Sequence, residues 1–366
     1  MLIKQSISAH NRILKIMNIK SISSFEFNAN QIIIDVRSPS EYAEDHIPGA
    51  INLPVLDDAE YSHVGKVYKN NSPFEASRLG SVKVSKNISG YLEDFFSSID
   101  KNTEIIFYCA RGGKRSRAFA TVCKMVGWDP QIITGGYKSY RQHVVSTTER
   151  ISSNLSMIIL AGKTGVGKTD ILEFLKSKGE AVIDLEGLAN HRGSILGSSP
   201  TRKQPKQKFF ETQIYLALQE LNMKRPVFLE AESNKIGNLF IPGELWRTMQ
   251  KAPTIMIENN LENRVTYILE EYDPDFLIKK EIPSLLSIIK KKYPQLNYLK
   301  LEANLEKKNW KEFVSDLIIE YYDPLYLHSI SRRRENKLDT ITSDKPVKVS
   351  IPEISLEICS IKDKWK

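Results

Sequence analysis

The sequence predicts an α/β protein with two domains. Short apolar runs typical of strands alternate with amphipathic stretches typical of helices, first over residues 31–134 and again over residues 157–231. In each half, one apolar run leads directly into a glycine-containing loop and then into a helix-like stretch. The chain has 366 residues, which suits about two to three domains of ordinary size. We therefore expect two successive α/β domains.

The composition is that of an ordinary globular protein, with 41% hydrophobic and 26% charged residues. Lysine and arginine number 52 against 44 aspartate and glutamate, and the net charge of +8 moderately favours polyanionic partners. The three cysteines, Cys109, Cys123 and Cys359, are too few and too scattered for a disulfide framework or a zinc site. The apolar runs are far shorter than the roughly 20 residues that cross a bilayer, and the N-terminus lacks a signal-peptide core. We expect a cytoplasmic protein.

The sequence of the first half predicts three strands and one helix. A turn-rich segment follows the first strand, after residue 36. The strands are expected at 31–36, 104–109 and 131–134, and the helix at 116–127. The polar stretch 146–156 is rich in serine and threonine and directly precedes a new apolar run. We therefore place the domain boundary near residue 150.

The second half predicts a further α/β unit followed by a helical part. Strands are expected at 157–162, 181–185 and 226–231, with helices at 170–179 and 208–221. Later helices are expected at 261–272, 281–293 and 309–322, whereas the final thirty residues have no regular pattern. We therefore expect a domain over residues 150–366 with a helical C-terminal part and an irregular terminus.

Cys109 lies where a buried strand is expected to end, and a loop suited to binding an anion follows it. Two glycines, Gly112 and Gly113, allow successive backbone N–H groups to turn inward, and the next helix directs its positive end toward the same place. Three cations lie in or beside this loop: Arg111, Lys114 and Arg115. Such a field favours the thiolate, so we expect a nucleophilic cysteine with a lowered pKa. Cys123 is expected in the core, and Cys359 has no suggestive context.

These residues resemble a rhodanese domain, over about residues 13–145. The stretch 34–54 matches that family's N-terminal signature through Asp35, Arg37, Glu41, His46, Pro48, Gly49, Ala50 and Asn52. The resemblance implies a cysteine that carries a transferable sulfur as a persulfide. It also implies that Asp35 and Arg37 brace the loop and that His46 organises a turn.

The loop is one residue longer than that of thiosulfate-type rhodaneses. Cys109 and Arg115 are spaced as C-x5-R, and a larger loop suits a tetrahedral oxyanion. The same spacing occurs in cysteine phosphatases, which keeps phosphatase chemistry as an alternative. Tyr108, however, stands where the common phosphatase motif has histidine.

The segment 162–169 is a phosphate-binding loop of the form G-x-x-x-x-G-K-[ST], placed between a strand and a helix as that motif requires. The residues expected around a diphosphate are Gly162, Thr164, Gly165, Gly167, Lys168 and Thr169. Lys168 would reach the outer phosphates and Thr169 would hold Mg²⁺, with Glu230 as an acidic metal or water partner. An ATPase or kinase is the default expectation, but the loop recognises phosphates and any diphosphate could occupy it.

The combination of both loops in one chain resembles the tRNA 2-selenouridine synthase family. Further matching segments are 66–80, 184–197, 204–211, 230–242 and 322–326. The resemblance implies tRNA as partner and a two-step replacement of sulfur by selenium at C2 of wobble 2-thiouridine, in tRNAs for Lys, Glu and Gln. Geranyl diphosphate would first alkylate the sulfur, and selenophosphate would then supply selenium. An enzyme that supplies selenophosphate is a further candidate partner.

On this resemblance, the loop from Gly162 to Thr169 binds geranyl diphosphate with Mg²⁺ rather than ATP. The Cys109 loop would capture selenophosphate, and Cys109 would carry selenium transiently. His191, Arg192 and Ser194 could contact the diphosphate or the target uridine, although the glycines around them could equally serve only to shape a loop.

Several basic clusters and two other functions are also compatible with the sequence. Candidate phosphate-contacting clusters for tRNA are 202–208, 289–295 and 332–334, each of which is more often a solvated surface. The alternatives to a tRNA-modifying transferase are an ATP-driven sulfur-relay protein and a nucleotide-regulated cysteine phosphatase.

Overall fold

A computed structural model of the chain describes residues 19–191, 203–231, 233–271, 286–287, 289–291, 298–326 and 336–365. The chain divides into two compact units, Met1–Ser146 and Thr147–Lys366. Each unit contains a five-stranded sheet in which every pairing is parallel. The α/β fold class predicted from the sequence is therefore confirmed.

The first unit is built around strand β4. Its strands are β1 Lys20–Ile22, β2 Gln31–Asp35, β3 Ile51–Asn52, β4 Glu104–Tyr108 and β5 Gln131–Ile133. Its helices are α1 Pro39–Glu44, α2 Asp58–Asn70, α3 Pro73–Glu93 and α4 Lys114–Val126, with a 3₁₀ turn at Phe95–Ser98. Helix α5, Gly136–Ser152, begins in this unit and continues past its last residue, Ser146. The strand order β1-β5-β4-β2-β3 places β4 in the middle. Phe96, Phe107 and Phe119 pack together in the core beneath it.

Two parts of this unit differ from the sequence-based expectation. The segment expected to be turn-rich contains helices α2 and α3, whose first turns are capped by the side chains of Asp57 and Ser72. The polar stretch 146–156, beside which the domain boundary is expected, begins inside α5, and this helix continues to Ser152. Thr148 and Ser152 are buried there, so packing overrides the weak helix propensity of serine and threonine.

The second unit is built around strand β6. Its strands are β6 Met157–Gly162, β7 Val182–Ile183, β8 Val227–Glu230, β9 Lys235–Ile236, β10 Leu239–Phe240, β11 Thr254–Asn259 and β12 Lys337–Ser343. Its helices are α6 Lys168–Ser177, α7 Leu185–Leu188, α8 Gln207–Gln219, α9 Gly243–Lys251, α10 Leu261–Glu271, α11 Tyr298–Glu306, α12 Trp310–Leu317 and α13 Val347–Lys364, with a π-helical turn at Ile318–Tyr322. The order β12-β11-β6-β8-β7 makes β6 the point from which the chain builds the sheet in both directions. In open parallel sheets such a switch point is where ligands bind, beyond the carboxyl ends of the strands.

The expectation that the final thirty residues are irregular is wrong. They form β12, which pairs in parallel with β11, and α13, which packs on α6. Ile341, Ile354 and Ile358 bury their side chains in the same apolar cluster as Leu172 of α6. Pro352 lies inside α13 and obscures the helical pattern in the sequence, because proline normally ends a helix.

The helices expected after residue 260 are confirmed where the structure describes them, by α10 and by α12 with its π-helical turn. Most of the helix expected over 281–293 lies outside the described residues. Among the described helices, none is both long enough and apolar enough to span a membrane.

Candidate active sites

Cys109 lies directly beyond the carboxyl end of β4, and only four residues separate it from the start of α4. Its side chain is buried, with 3% of the residue exposed. The backbone N–H of Gly113 and the hydroxyl of Ser116 donate to its Sγ, at 3.2 and 3.3 Å. Burial by itself would raise the pKa of the Cys109 thiol. Hydrogen bonds from Ser116 and from the backbone of Arg111 and Gly113 outweigh burial, and the pKa lies below its usual value.

The turn between β5 and α5 holds the Cys109 loop in shape from behind. The backbone N–H groups of Tyr137 and Lys138 donate to the carbonyl oxygens of Cys109 and Ala110, at 2.9 and 3.0 Å. Gly112 has a φ of +62°, and a Cβ there would come within 2.8 Å of the Ile133 carbonyl oxygen. The loop can therefore close against β5 only with glycine at this position. This contact was not foreseen from the sequence, since it joins segments about 25 residues apart.

The cations of the loop have different surroundings. Arg115 forms an ion pair with Glu41 at 2.6 Å and lies over the ring of Tyr61. Burial would raise the pKa of Glu41, but Arg115 lowers it below the ordinary value. Arg111 and Lys114 are exposed, and neither forms an ion pair with any carboxylate the structure describes. Arg115 is thus fixed in place, whereas Arg111 and Lys114 remain available to an incoming anion.

The residues of the N-terminal signature form a buried brace beside the loop. Arg37 pairs with Asp35 at 2.6 Å, donates to the carbonyl of Asp45 at 2.7 Å and stacks on the ring of Tyr137. It thereby joins the end of β2 to the turn after α1 and to the start of α5. His46 lies in that turn, and its ring stacks on Tyr42.

The other two cysteines have different chemistry. Cys123 is fully buried in the apolar core, as expected, and burial raises its pKa to about 12. Cys359 lies on α13, close to Glu180. Burial raises the pKa of the Cys359 thiol, and the negative charge of Glu180 raises it further.

The phosphate loop follows β6 and leads into α6, in the order that its motif requires. Gly165 and Gly167 both have positive φ, at +87° and +77°. The Nζ of Lys168 donates across the loop to the carbonyl of Gly162 at 3.1 Å. The lysine is thus held at the mouth of a loop whose backbone N–H groups lie at the start of a ten-residue helix.

Helix α10 supports this loop through Arg264, which the sequence did not reveal. Arg264 is 2% exposed, and its Nε donates to the carbonyl of Thr164 at 2.9 Å. Its other guanidinium nitrogens donate to Asp323 at 3.0 and 2.6 Å. Lys163 of the loop also pairs with Asp323, at 3.2 Å. A Cβ at Gly165 would lie 2.9 Å from the Arg264 carbonyl oxygen, so the loop and α10 are in close contact.

Three carboxylates gather at the ends of β7 and β8, beside β6. Glu230 is 2% exposed, and its Oε1 accepts a hydrogen bond from the backbone N–H of Glu186 at 2.8 Å. Burial raises the pKa of Glu230 well above its usual range, and the charges of Asp184 and Glu186 raise it further. The Glu186 carboxylate lies 3.5 Å from the Thr169 hydroxyl. Glu186 therefore links the two predicted metal-site residues, Thr169 and Glu230, and was itself missed.

The donors at this point fit Mg²⁺ bound together with phosphate. The Oε2 of Glu230 is buried and has no hydrogen-bond partner in the described structure, and Thr169 and Glu186 offer further oxygen ligands. Among the described residues, no group of three or more histidine, cysteine, aspartate or glutamate side chains could hold a metal. Mg²⁺ normally takes only one or two carboxylates and completes its shell with water and phosphate oxygens, so this donor set is compatible with it.

The segment after β7 is only partly described. Asp184 caps α7 by accepting the N–H of Gly187 at 2.7 Å, and the N–H of His191 donates to the Glu186 carbonyl at 3.0 Å. Gln204 donates to the carbonyls of Ala189 and Ile236, so it joins this segment to β9. Arg192 and Ser194 lie outside the described residues, as does the basic cluster 332–334.

Both halves of the chain match models of known protein domains. Residues 24–143 match the model of the rhodanese-like domain, and residues 155–350 match that of the tRNA 2-selenouridine synthase AAA domain. Similar curated proteins include the tRNA 2-selenouridine synthase of Nitrosomonas europaea, which is 32% identical over 85% of this chain and 92% of that protein. The synthases of Bdellovibrio bacteriovorus and Shewanella denitrificans are 32% and 33% identical, each over 84% of this chain and 91% and 90% of those proteins.

These matches run through the Cys109 loop, the phosphate loop and nearly the full length of the relatives. The chain belongs to the tRNA 2-selenouridine synthase family.

Proposed function

We propose that the protein converts 2-thiouridine to 2-selenouridine at the wobble position of tRNA. The observation that carries the proposal is the presence, in one chain of this family, of two loops suited to binding anions, one in each matched domain. One contains a cysteine with a lowered pKa, and the other is a complete phosphate loop. Two loops are what a reaction with two anionic reagents requires. The substrates we infer are the tRNAs for Lys, Glu and Gln.

The first step we infer is geranylation at the phosphate loop. The thiocarbonyl sulfur of the uridine attacks C1 of geranyl diphosphate, a C–S bond forms and the C–O bond to diphosphate breaks. The N3 proton passes to solvent, and diphosphate leaves with the bonding electrons. The loop N–H groups and Lys168 stabilise the negative charge that develops on the leaving oxygens. Gly162, Thr164, Gly165 and Gly167 shape the loop around them.

Mg²⁺ bound with the diphosphate would supply further positive charge to the leaving group. Thr169 and Glu186 would hold the Mg²⁺, and Glu230 would support Glu186. Glu230 accepts the Glu186 N–H and so fixes the position of the Glu186 backbone beside the loop. His191, whose backbone N–H donates to the Glu186 carbonyl, would contact the diphosphate or the uridine.

The second step we infer is selenation at the Cys109 loop. Selenophosphate is a tetrahedral oxyanion, and the loop offers it N–H donors together with the exposed cations Arg111 and Lys114. Arg115, held by Glu41, lies at the base of the loop. Selenium replaces the geranylthio group at C2, and geranylthiolate leaves with the electrons of the C–S bond.

Reconstitution tests the proposal. The purified chain is incubated with an anticodon stem-loop RNA that contains 2-thiouridine, first with geranyl diphosphate and Mg²⁺ and then with selenophosphate. Nucleoside mass spectrometry should detect 2-geranylthiouridine after the first incubation and 2-selenouridine after the second, with ATP unable to replace geranyl diphosphate. Rapid ATP hydrolysis that geranyl diphosphate does not inhibit, with unmodified RNA, would overturn it.

A further inference from the structure

The hydrogen-bond donors around the Cys109 sulfur limit how an oxyanion can lie against it. The Gly113 N–H and the Ser116 hydroxyl donate to Sγ, and the backbone of Arg111 and Ser116 also stabilises the thiolate. These donors surround the sulfur at the start of α4. An oxyanion that rests over the sulfur can use donors and cations of the same loop only if its oxygens face them.

If the oxygens of selenophosphate face the loop, the position of its selenium atom follows. In a phosphate-like tetrahedron, three oxygens directed at the loop leave the fourth substituent on the side away from Sγ. Phosphorus then faces the thiolate, and selenium points outward to solvent. Sulfur, phosphorus and selenium would then lie roughly in line, which is the geometry of phosphoryl transfer. For sulfur to attack selenium instead, the three oxygens would have to leave the loop donors.

We propose that Cys109 attacks the phosphorus of selenophosphate and releases hydrogen selenide toward the RNA. This inference rests on the proposed function and specifies its second step. In the hydrogen selenophosphate ion that carries its proton on selenium, the S–P bond forms while the P–Se bond breaks. HSe⁻ leaves with that proton and with the bonding electrons, so no acid, oxidant or reductant is needed. HSe⁻ then adds to C2 of 2-geranylthiouridine and expels geranylthiolate. Water hydrolyses the phosphocysteine to phosphate and regenerates the thiolate.

The residues around the Cys109 loop suit a leaving group that needs no acid to protonate it. Among the described residues, Glu41 is the carboxylate that pairs with a cation of the loop, and that ion pair keeps it ionised. Glu41 is therefore unable to donate a proton to a departing oxygen. HSe⁻ is a weak base that leaves without further protonation, whereas an alkoxide is a strong base that needs an acid to protonate it as it leaves. The loop should cleave selenophosphate and thiophosphate but not alkyl phosphates, and this distinguishes it from a general phosphatase.

Ser116 also contributes to the hydrolysis of phosphocysteine that regenerates the thiolate. Its hydroxyl is fully buried and lies 3.3 Å from Sγ. When phosphocysteine is hydrolysed, sulfur leaves as a thiolate, and this hydroxyl stabilises the charge that develops on it. Loss of a hydrogen bond to a charged group slows such a step by about 10- to 100-fold.

The test uses the full chain without RNA and measures sulfide or selenide released from thiophosphate or selenophosphate, together with the mass of the intact protein. Wild type should release the chalcogenide, Cys109→Ala should lower release about 100-fold or more, and Ser116→Ala should accumulate a phosphorylated protein. Cys359→Ala is the matched control and should behave as wild type. A ³²P label retained on Cys109 identifies the predicted intermediate.

The opposite result is equally distinct. A selenium isotope pattern on Cys109 without ³²P, or selenouridine formation with no chalcogenide release from either anion, would overturn attack at phosphorus. Failure of wild type to form 2-selenouridine from RNA that already contains 2-geranylthiouridine would instead overturn the proposed function. The RNA reaction is run in parallel, so the two failures are distinguishable.

Discussion

Cys109 differs from the other two cysteines in its neighbours rather than in its exposure. Cys109 and Cys123 are both buried, at 3% and 0% exposed. Cys109 nevertheless has hydrogen-bond donors from the loop and from Ser116, while Cys123 is surrounded by apolar side chains. The same burial therefore leads to a lowered pKa in one case and a pKa of about 12 in the other.

Alkylation by iodoacetamide should follow this difference. Because the thiolate is the reactive form, the rate at Cys109 should rise with pH and level off below the ordinary thiol pKa of 9.0. Cys123 should not react in the folded protein. Ser116→Ala removes one donor and should move the Cys109 profile to higher pH, whereas the exposed Ser98→Ala should not. Peptide mapping of the alkylated sites measures each rate, and identical profiles for all three proteins would contradict the assignment.

The Glu186 carboxylate lies 3.5 Å from the hydroxyl of Thr169, where we propose that Mg²⁺ binds. Glu186→Gln keeps the shape but removes a charge, so the Mg²⁺-dependent part of geranyl diphosphate binding should weaken about tenfold or more. Glu173→Gln, on the exposed surface of α6, is the matched control. Calorimetric titration with and without Mg²⁺ gives both affinities. An unchanged Mg²⁺ effect in Glu186→Gln would exclude this residue from the metal site.

At the scale of elements, each loop depends on a helix or turn that follows it by many residues. The β5–α5 turn holds the Cys109 loop, and α10 holds the phosphate loop through Arg264. Arg264 is buried against Thr164 and Asp323, so its guanidinium joins the loop to the segment after α12.

Substitution of Arg264 should therefore affect both stability and binding. Arg264→Ala leaves the Asp323 carboxylate, whose side chain is 15% exposed, without its main partner. It should lower the free energy of unfolding of the second unit by roughly 3–5 kcal/mol and weaken diphosphate binding. Lys163→Ala removes a more exposed partner of the same carboxylate, and should cost below about 1 kcal/mol. Urea unfolding compares the two, and equal losses would contradict a supporting role specific to Arg264.

The elements that could be predicted from the sequence are those whose signals are contiguous. The units β4–loop–α4 and β6–loop–α6 each lie within about 25 residues, so strand, glycines and helix are seen together. Strand β12 could not be recognised, because the strand that pairs with it, β11, lies about 80 residues earlier. Helices α2 and α3 were missed for a related reason: their stability depends on packing against each other, as Val64 does against Gly80.

At the scale of the whole molecule, both candidate sites have the same relation to their sheets. Cys109 follows the middle strand of the first sheet, and the phosphate loop follows the middle strand of the second. The sequence was sufficient to predict both loops. It could not predict the side chains that complete them, because Glu41 reaches Arg115 across 74 positions and Arg264 reaches Thr164 across 100.

Because each loop has its own reagent in this account, the two steps should be separable by single substitutions. The most direct measurement is nucleoside mass spectrometry of 2-thiouridine RNA treated with geranyl diphosphate and selenophosphate, using Cys109→Ala and Lys168→Ala. Cys109→Ala should stop at 2-geranylthiouridine. Lys168→Ala should leave 2-thiouridine unchanged, yet should convert RNA supplied with 2-geranylthiouridine to 2-selenouridine. Full selenation by Cys109→Ala, or undiminished geranylation by Lys168→Ala, would contradict the account.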